Sequence, residues 1–416
     1  MSEAVSSGAD RRLLWLLSSS AVSNLGDGIG KVAFPLLAAT LTRDPVLIAG
    51  LSATQFLPWL LFALVAGALV DRIDRRKAMI YANLARAVVV GAMAVLVYTG
   101  GVTIAVVYVA ALLIGTAETI ADSAANVLIP AVVDHDRLES ANSKLQACEI
   151  VGQTFLGGPI GSATFALFAV FPFLLNSAGF ALSAGLLIAL AGSYRAKNPT
   201  PSAEPTRLRA DLAEGIGWLV RHRLMLRLVV IAGLVSLTSE LAQAQLVLYA
   251  LEDAQLSEAT FGFFALIGGV GGLIGAAVAP KLIKRTSRGS VLSSGIVCCG
   301  LGIGGMGLIT QPVVSATLFG LFAAAIVAVN VVLGTVRHSL VPSEFLGRVL
   351  GVWRTVAWGA VPVGALLGGL LTRALGTSSA TFLVSGVLLI GIGAFSATAL
   401  RTFSLDVRPV TACAQP

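Results

Sequence analysis

The sequence predicts an all-α membrane protein of twelve transmembrane helices, arranged as two pseudo-symmetric six-helix bundles. Three observations predict it. The composition is too apolar for a water-facing surface. Twelve apolar runs have spanning length. Lysine and arginine fall almost entirely on alternate loops between those runs.

Hydrophobic residues make up 56% and charged residues 12% of the 416 positions, and the mean hydropathy is +0.89. A soluble globular chain carries about 25% charged residues, so the solvent for this one is lipid. The 45 glycines suit close helix packing in a bilayer. A net charge of +7 raises nucleic acid as a partner, but the basic residues sit in short loops where membrane orientation rules put them. Nucleic acid is therefore not an expected partner; lipid is. Cys148, Cys298, Cys299 and Cys413 have no metal-ligand spacing, and neither have the three histidines, so no metal or other cofactor is expected. No phosphate-cradling loop ends in lysine, which argues against ATP coupling in this chain. No enzyme constellation emerges.

Arg11 and Arg12 precede an apolar run, as in a signal peptide, but the run continues from Leu13 to Leu41 and carries Asp27 and Lys31. It reads as a first membrane helix. A spanning helix needs about 20 mostly apolar residues. The remaining runs of the first half are Val46–Val70, Ala78–Thr99, Thr103–Val133, Asn142–Ala169 and Pro172–Tyr194. Those of the second half are Leu224–Tyr249, Thr260–Leu282, Ser290–Thr310, Val313–Leu340, Leu346–Thr372 and Ala380–Leu400. With the N-terminus inside, 22 of the 28 lysines and arginines lie on inside segments and only Arg43 and Arg373 on outside loops. Lys31, Arg86, Arg337 and Arg354 lie within spans. The asymmetry places both termini in the cytoplasm of a multi-pass cell-membrane protein.

The segment between spans 6 and 7 opens with Pro199, Pro201 and Pro205, which is linker chemistry. Leu208, Leu212, Ile216 and Leu219 then recur at helical spacing between flanking arginines, as in an amphipathic helix on the cytoplasmic leaflet. The expected organisation is a first bundle over 1–197, a cytoplasmic linker over 198–223, and a second bundle with a short cytoplasmic tail over 224–416. Weak internal symmetry supports duplication: Gly158-Pro159-Ile160-Gly161 in span 5 answers Val361-Pro362-Val363-Gly364 in span 11, and Pro130 before Arg137 answers Pro342 before Arg348.

The loop after span 2 reads Gly67-Ala68-Leu69-Val70-Asp71-Arg72-Ile73-Asp74-Arg75-Arg76-Lys77. It resembles the cytoplasmic signature of the major facilitator superfamily, departing from it at Asp74, where the common pattern has glycine. Ser23-Asn24-Leu25-Gly26-Asp27-Gly28, the stretch from Ala117 through Asn126, and Glu214-Gly215-Ile216-Gly217-Trp218 are similar to the branch that holds enterobactin exporters and macrolide-efflux proteins. Span 5 is similar to the antiporter signature, with Thr154 and Ser162 at two of its usual glycines. An arginine frequent in span 4 of proton antiporters is absent, and Glu118 and Asp122 occupy that region. The resemblance implies a central cavity lined by spans 1, 4, 7 and 10, and transport by alternating access.

Ionisable side chains inside a span are costly and mark function by default. Asp27 reads either as a local pair with Lys31, one turn away, or as a protonatable carboxylate. Glu118 and Asp122 share a helix face and read as a proton-binding pair, with pairing of Asp122 to Arg86 as the structural alternative. These three are the proton-coupling candidates. Glu240 and Gln243, with Ser236, form a polar stripe on span 7; with Phe34 and Asn330 they are the substrate-binding candidates. Aromatic residues such as Trp59, Phe264 and Trp358 would admit many guests. Asp71, with Arg75, Arg76 and Arg348, is the gating candidate, and Gly158, Pro159 and Gly161 are read as helix-packing positions.

The expected function is a monomeric secondary transporter that exports a small amphipathic molecule (a drug, siderophore or secondary metabolite) in exchange for protons. An importer or lysophospholipid translocator on the same fold is the alternative, and a membrane sensor without transport is a third reading. The topology is directly testable: cysteines placed at Ser202 and at Thr377 label from opposite faces of the membrane, and labelling from one face overturns it.

Overall fold

A computed structural model of the chain describes residues 2–70, 73–133, 137–190, 192, 194 and 214–400. Among these residues there is no strand. Helices α1 (Ser2–Leu41), α2 (Pro45–Val70), α3 (Arg75–Tyr98) and α4 (Ile104–Val132) supply the first four predicted spans. Span 5 is composite: α5 (Leu138–Glu149), a π-helical stretch (Ile150–Gly157) and α6 (Gly158–Leu167). α7 (Phe171–Ala189) is span 6, and a short α8 (214–221) follows. Span 7 is also broken, into α9 (Arg223–Gln243), α10 (Leu246–Leu248) and a π turn (Tyr249–Asp253). α11 (Glu258–Arg285), α12 (Arg288–Leu308), α13 (Pro312–Leu340), α14 (Ser343–Leu375) and α15 (Ser378–Ala399) complete the chain.

Among the described residues, each predicted run thus lies mainly on helix. Among the described residues, nine helices are long and apolar enough to cross a membrane. The other three predicted spans fall on α1, α2 and the composite helix of span 5.

Local chemistry sets the helix ends. Thr103, Ser287, Gln311 and Thr377 each accept a backbone N–H of the first turn of α4, α12, α13 and α15, a cap that contributes about 1 kcal/mol. Asp74, the residue that departs from the signature glycine, caps α3: its Oδ1 accepts from Lys77 N at 3.2 Å and its Oδ2 from Tyr194 N at 3.0 Å. Gly376 ends α14 at φ +82°, in the left-handed region that glycine enters without steric cost. The π stretch of span 5 meets Pro159, which has no N–H to give the preceding turn; a widened turn accommodates the gap.

Packing divides the chain into two compact units, 1–202 with 244–266, and 203–243 with 267–416. In the first, α1 packs on α7 and on the broken helix of span 5, α3 on α4 and α7, and α2 on α4. Its apolar core joins Phe34, Leu36, Val90, Met93 and Phe173 with Val247, Leu248 and Phe261 of the excursion over 244–266. That excursion is held to the rest of the unit by specific polar contacts. Gln245 Nε2 donates to Pro45 O at 3.1 Å, Ser162 Oγ donates to Glu258 O, and Ser162 Oγ also accepts from Gly262 N at 2.9 Å. In the second unit, α12 packs on α13 and α15, and α9 on α14 and α15.

Glycine permits the tightest crossings. A Cβ on Gly28 would lie 2.6 Å from Gln153 O, and one on Gly161 would lie 2.9 Å from Ile29 O. Span 5 therefore rides directly on the backbone of span 1. In the second unit, the matching Gly364 of span 11 packs against Leu237 and Glu240 of span 7. The repeat seen in the sequence reappears as the same pairing within each unit, span 5 on span 1 and span 11 on span 7.

Gly28→Ala forces the crossing apart, an overpacking cost of about 1–3 kcal/mol, and is expected to lower the melting midpoint in detergent. Gly391→Ala, with no atom within 4 Å of the new methyl, is expected to leave it unchanged. Equal midpoints for the two variants would remove the crossing as a stability determinant.

Candidate functional site

The first unit holds a polar network inside its helices. Arg86 on α3 is 2% exposed and its partner Asp27 on α1 is 10% exposed, so neither charge is dissolved in bulk water. Arg86 Nη1 donates to both Asp27 oxygens, at 2.9 and 3.1 Å. Its Nη2 donates to Ser23 Oγ at 3.0 Å and to Asn83 Oδ1 at 2.5 Å. The Phe180 ring lies 4.3 Å below the guanidinium carbon. Asn83 Nδ2 passes the network to Ser183 Oγ at 2.9 Å, and Ser183 meets Ser19 at 2.8 Å. A buried charge in a membrane protein persists when it is paired and its donors find acceptors; here both terminal nitrogens do so, while Nε is buried without a partner.

This geometry corrects two readings. Asp27 pairs with Arg86 and not with Lys31, because Lys31 Nζ instead donates to Gln153 Oε1 on span 5. Arg86, for its part, is taken by Asp27 and not by Asp122. Gln153 Nε2 completes a second chain by donating to Asn24 Oδ1 at 2.6 Å. The stretch Ser23 to Gly28 is now accounted for residue by residue. Ser23 and Asp27 hold Arg86, and Asn24 holds Gln153. Gly26 leaves room for Asn176, whose Oδ1 would lie 2.5 Å from a Cβ there, and Gly28 makes the helix crossing. Asn83, Gln153 and Asn176 escape a sequence reading because an uncharged amide in a span carries no charge signal.

Glu118 and Asp122 sit one turn apart on α4, Glu118 half-buried and Asp122 more open. Both feel the charges of Asp27, Lys31 and Arg86. The three proton-coupling candidates therefore belong to one electrostatic cluster with Lys31 and Arg86, drawn from spans 1, 3 and 4, and Glu149 of span 5 adds a further negative charge beside Asp122.

The other candidates scatter. Phe34 is 4% exposed and meets Phe173 edge-to-face at 5.3 Å. It is core, not an open binding surface, because two rings on adjoining helices bury more apolar area together than either does facing a polar path. Glu240 and Gln243 are half-buried on α9 and Asn330 is exposed on α13, all in the second unit. Asp71 lies outside the described residues. Its expected companions have other partners here: Arg348 Nη1 binds Glu214 at 3.0 Å, and Arg76 closes the carbonyl end of α7, donating to Leu187 O, Ile188 O and Gly192 O at 2.8, 2.8 and 3.0 Å. Cations at a helix C-terminus stabilise it. Arg75 is half-buried at the start of α3. Gly158, Pro159 and Gly161 lie where the π stretch gives way to α6. Among the described residues, no cluster of metal-ligating side chains forms.

Breaking one side of the buried pair costs about 3–5 kcal/mol. Arg86→Ala is expected to lose folded protein in detergent by that amount, whereas adding Asp27→Asn to Arg86→Gln is expected to recover part of the loss. Strictly additive single effects in a double-mutant cycle would show that the two side chains do not act on one another.

The comparisons with known proteins agree with this architecture. The family model of the Major Facilitator Superfamily matches residues 16–357. The multidrug efflux pump Tap of Mycolicibacterium fortuitum is 26% identical over 361 residues, covering 85% of this chain and 87% of Tap. An uncharacterised MFS-type transporter of Bacillus subtilis strain 168, YfiS, is 27% identical over 355 residues, covering 82% and 81%. Among solved structures, the nucleoside transporter NupG superposes with a TM-score of 0.71 at 13% identity, covering 94% of this chain and 99% of NupG. A bacterial homologue of the iron transporter ferroportin gives 0.70 at 18% identity, covering 92% and 99%. At such identities the structural likeness speaks for the fold alone. With a family model spanning most of its length and relatives matched over more than four-fifths of both chains, the chain belongs to the Major Facilitator Superfamily.

Proposed function

We propose that this membrane transporter exports a small amphipathic molecule in exchange for protons, its two six-helix halves alternating access across the cytoplasmic membrane, with both termini and the linker on the cytoplasmic side. The observation that carries the reading is the intramembrane cluster of Asp27, Lys31, Arg86, Glu118 and Asp122, in a chain whose relatives include the multidrug efflux pumps named Tap.

The cluster suggests how a proton enters the cycle. Carboxylates outnumber cations in this group, so uptake of a proton lowers its net charge. Desolvating a neutral group is far cheaper than desolvating a charged one. A half that closes around the protonated cluster thus meets a lower barrier than one closing around the more highly charged cluster. Asp27 is committed to Arg86 by two hydrogen bonds, which makes it the fixed member. Glu118 and Asp122 have the freedom to take up and release the proton, and they replace Asp27 as the leading carriers. On the second half, the stripe of Glu240 and Gln243 with Asn330 would contact the transported molecule.

The test uses purified protein in proteoliposomes with an imposed pH gradient. Glu118→Gln and Asp122→Asn are expected to reduce uphill transport to the level of empty vesicles while exchange of substrate at equilibrium persists. A Glu118→Gln, Asp122→Asn double variant that still concentrates substrate against its gradient would sink the proton assignment.

A further inference from the structure

We propose that Arg337 and Arg354, framed by Trp353 and Trp358, form a binding site in the second unit for the anionic group of an aromatic molecule. The proposal deepens the exporter reading by naming a chemical class of substrate, and rests on that reading for its role in transport.

Arg337 lies on the last turn of α13, and Arg354 on α14, six residues inside the stretch Arg348–Leu375 that is apolar enough to cross a membrane. At about 1.5 Å per residue that is about 9 Å of depth. The guanidinium of Arg337 sits 5.2 Å from the Trp353 ring centroid, and that of Arg354 sits 5.9 Å from Trp358. The two arginines are near enough for the charge of Arg354 to act on Arg337.

Two like charges in one neighbourhood, one of them inside an apolar spanning stretch and the other at the end of one, need an opposite charge. Among the described residues no carboxylate makes an ion pair with either. Glu214, on the same unit, is bound to Arg348. Glu240 packs beside Gly364, ten residues along α14 from Arg354, or about 15 Å of rise. The Nε of Arg337 is buried and has no hydrogen-bond partner, a donor left over by the protein's own contacts. A buried donor without a partner costs about 1–3 kcal/mol, and an arriving acceptor recovers that cost.

The geometry also selects the rest of the ligand. Arg354 is exposed, and Trp358, one turn along the same face, is 43% exposed. A guanidinium beside an open indole offers a fork for a carboxylate, sulfonate or phosphate next to a flat apolar face. Trp353 is 6% exposed and serves instead to hold Arg337 in place. Both guanidiniums lie within cation–π distance of a tryptophan ring, which favours their positions beside the indoles.

An anionic group of the same chemistry is present on lipid headgroups, so the test separates the two sources. Protein in phosphatidylcholine nanodiscs is titrated with tritiated 2-naphthoate and with uncharged 2-naphthylmethanol, each corrected by empty discs. Charge-assisted hydrogen bonds of this kind correspond to roughly a ten- to hundredfold preference for the acid. Arg354→Gln and Arg337→Gln are expected to erase the preference, and Arg354→Lys, which folds with its charge intact, to keep part of it. Equal binding of acid and alcohol by the parent protein overturns the proposal. So does an unchanged preference in Arg354→Gln. In discs containing phosphatidylglycerol, naphthoate binding is expected to persist; displacement by that lipid assigns the site to the membrane and ends the substrate reading. Efflux of an uncharged dye from vesicles, measured in parallel, tests the exporter reading separately. A parent protein that binds naphthoate and moves no compound fails as an exporter while the anion site stands.

Discussion

The buried guanidinium of Arg86 is the constraint from which the first half of the molecule is organised. A charge at 2% exposure is tolerable only if its surroundings supply an opposite charge and acceptors for its donors. Here three helices do so for its two terminal nitrogens, leaving Nε without an acceptor. Span 1 gives Asp27 and Ser23, span 3 gives Asn83 from the turn before, and span 6 gives the Phe180 ring. None of these helices can rotate by a residue without stranding the charge. The network therefore fixes the rotational register of three apolar helices, which hydrophobic packing alone would leave weakly defined, since lipid is as apolar as a leucine face.

Glycine fixes what the network does not, the distance between helices. Dispersion forces fall off steeply with separation, so backbone contact at Gly28 and Gly161 draws span 5 onto span 1 as no larger side chain would allow. Span 5 pays for the close approach with a disrupted ladder, the π stretch that runs from Ile150 to Gly157 ahead of Pro159. Pro362 and Gly364 repeat the device on span 11, where α14 continues through the proline without a break. Broken and unbroken versions of one motif show that proline alone does not dictate the π turn. In span 5 the flanking Gly157 and Gly158 offer no side chain to resist the widening; in span 11 Val361 and Val363 stand beside the proline.

Long-range features are legible in the sequence, and pairwise ones are not. Helical class and family follow from hydropathy, the loop charges and the signature after span 2, all of which are sums over many residues. The partner of Asp27 is a single choice between Lys31, four residues away, and Arg86, fifty-nine residues away in sequence. Local spacing favours Lys31; the tertiary arrangement favours Arg86, and nothing in the linear chain weighs the two. Arg76 tells the same story. In a cluster of basic residues it looks like part of a gate or an orientation signal, yet its three donors fill the carbonyl end of α7. Phe34 was legible as an aromatic residue on span 1 but not as a core residue, because one helix has several faces and the sequence does not say which meets Phe173.

The two units share a packing scheme and differ in their charges, and the difference bears on mechanism. In the first, carboxylates and cations lie together, with the carboxylates in excess. In the second, Glu240 stands alone on α9 while, among the described residues, no carboxylate pairs with Arg337 or Arg354. A duplicated scaffold explains why the glycine crossings match: they carry the fold, and each half needs one. It does not require the ionisable residues to match. In the proposed cycle that freedom divides the work, one half handling a proton whose uptake lowers its net charge, the other meeting a molecule whose charge it lacks. A symmetric distribution of acids would have made both halves compete for the proton. Concentrating the titrating groups in one half and the unpaired cations in the other lets proton and anionic substrate be held at once or in turn, without either displacing the other from its own site.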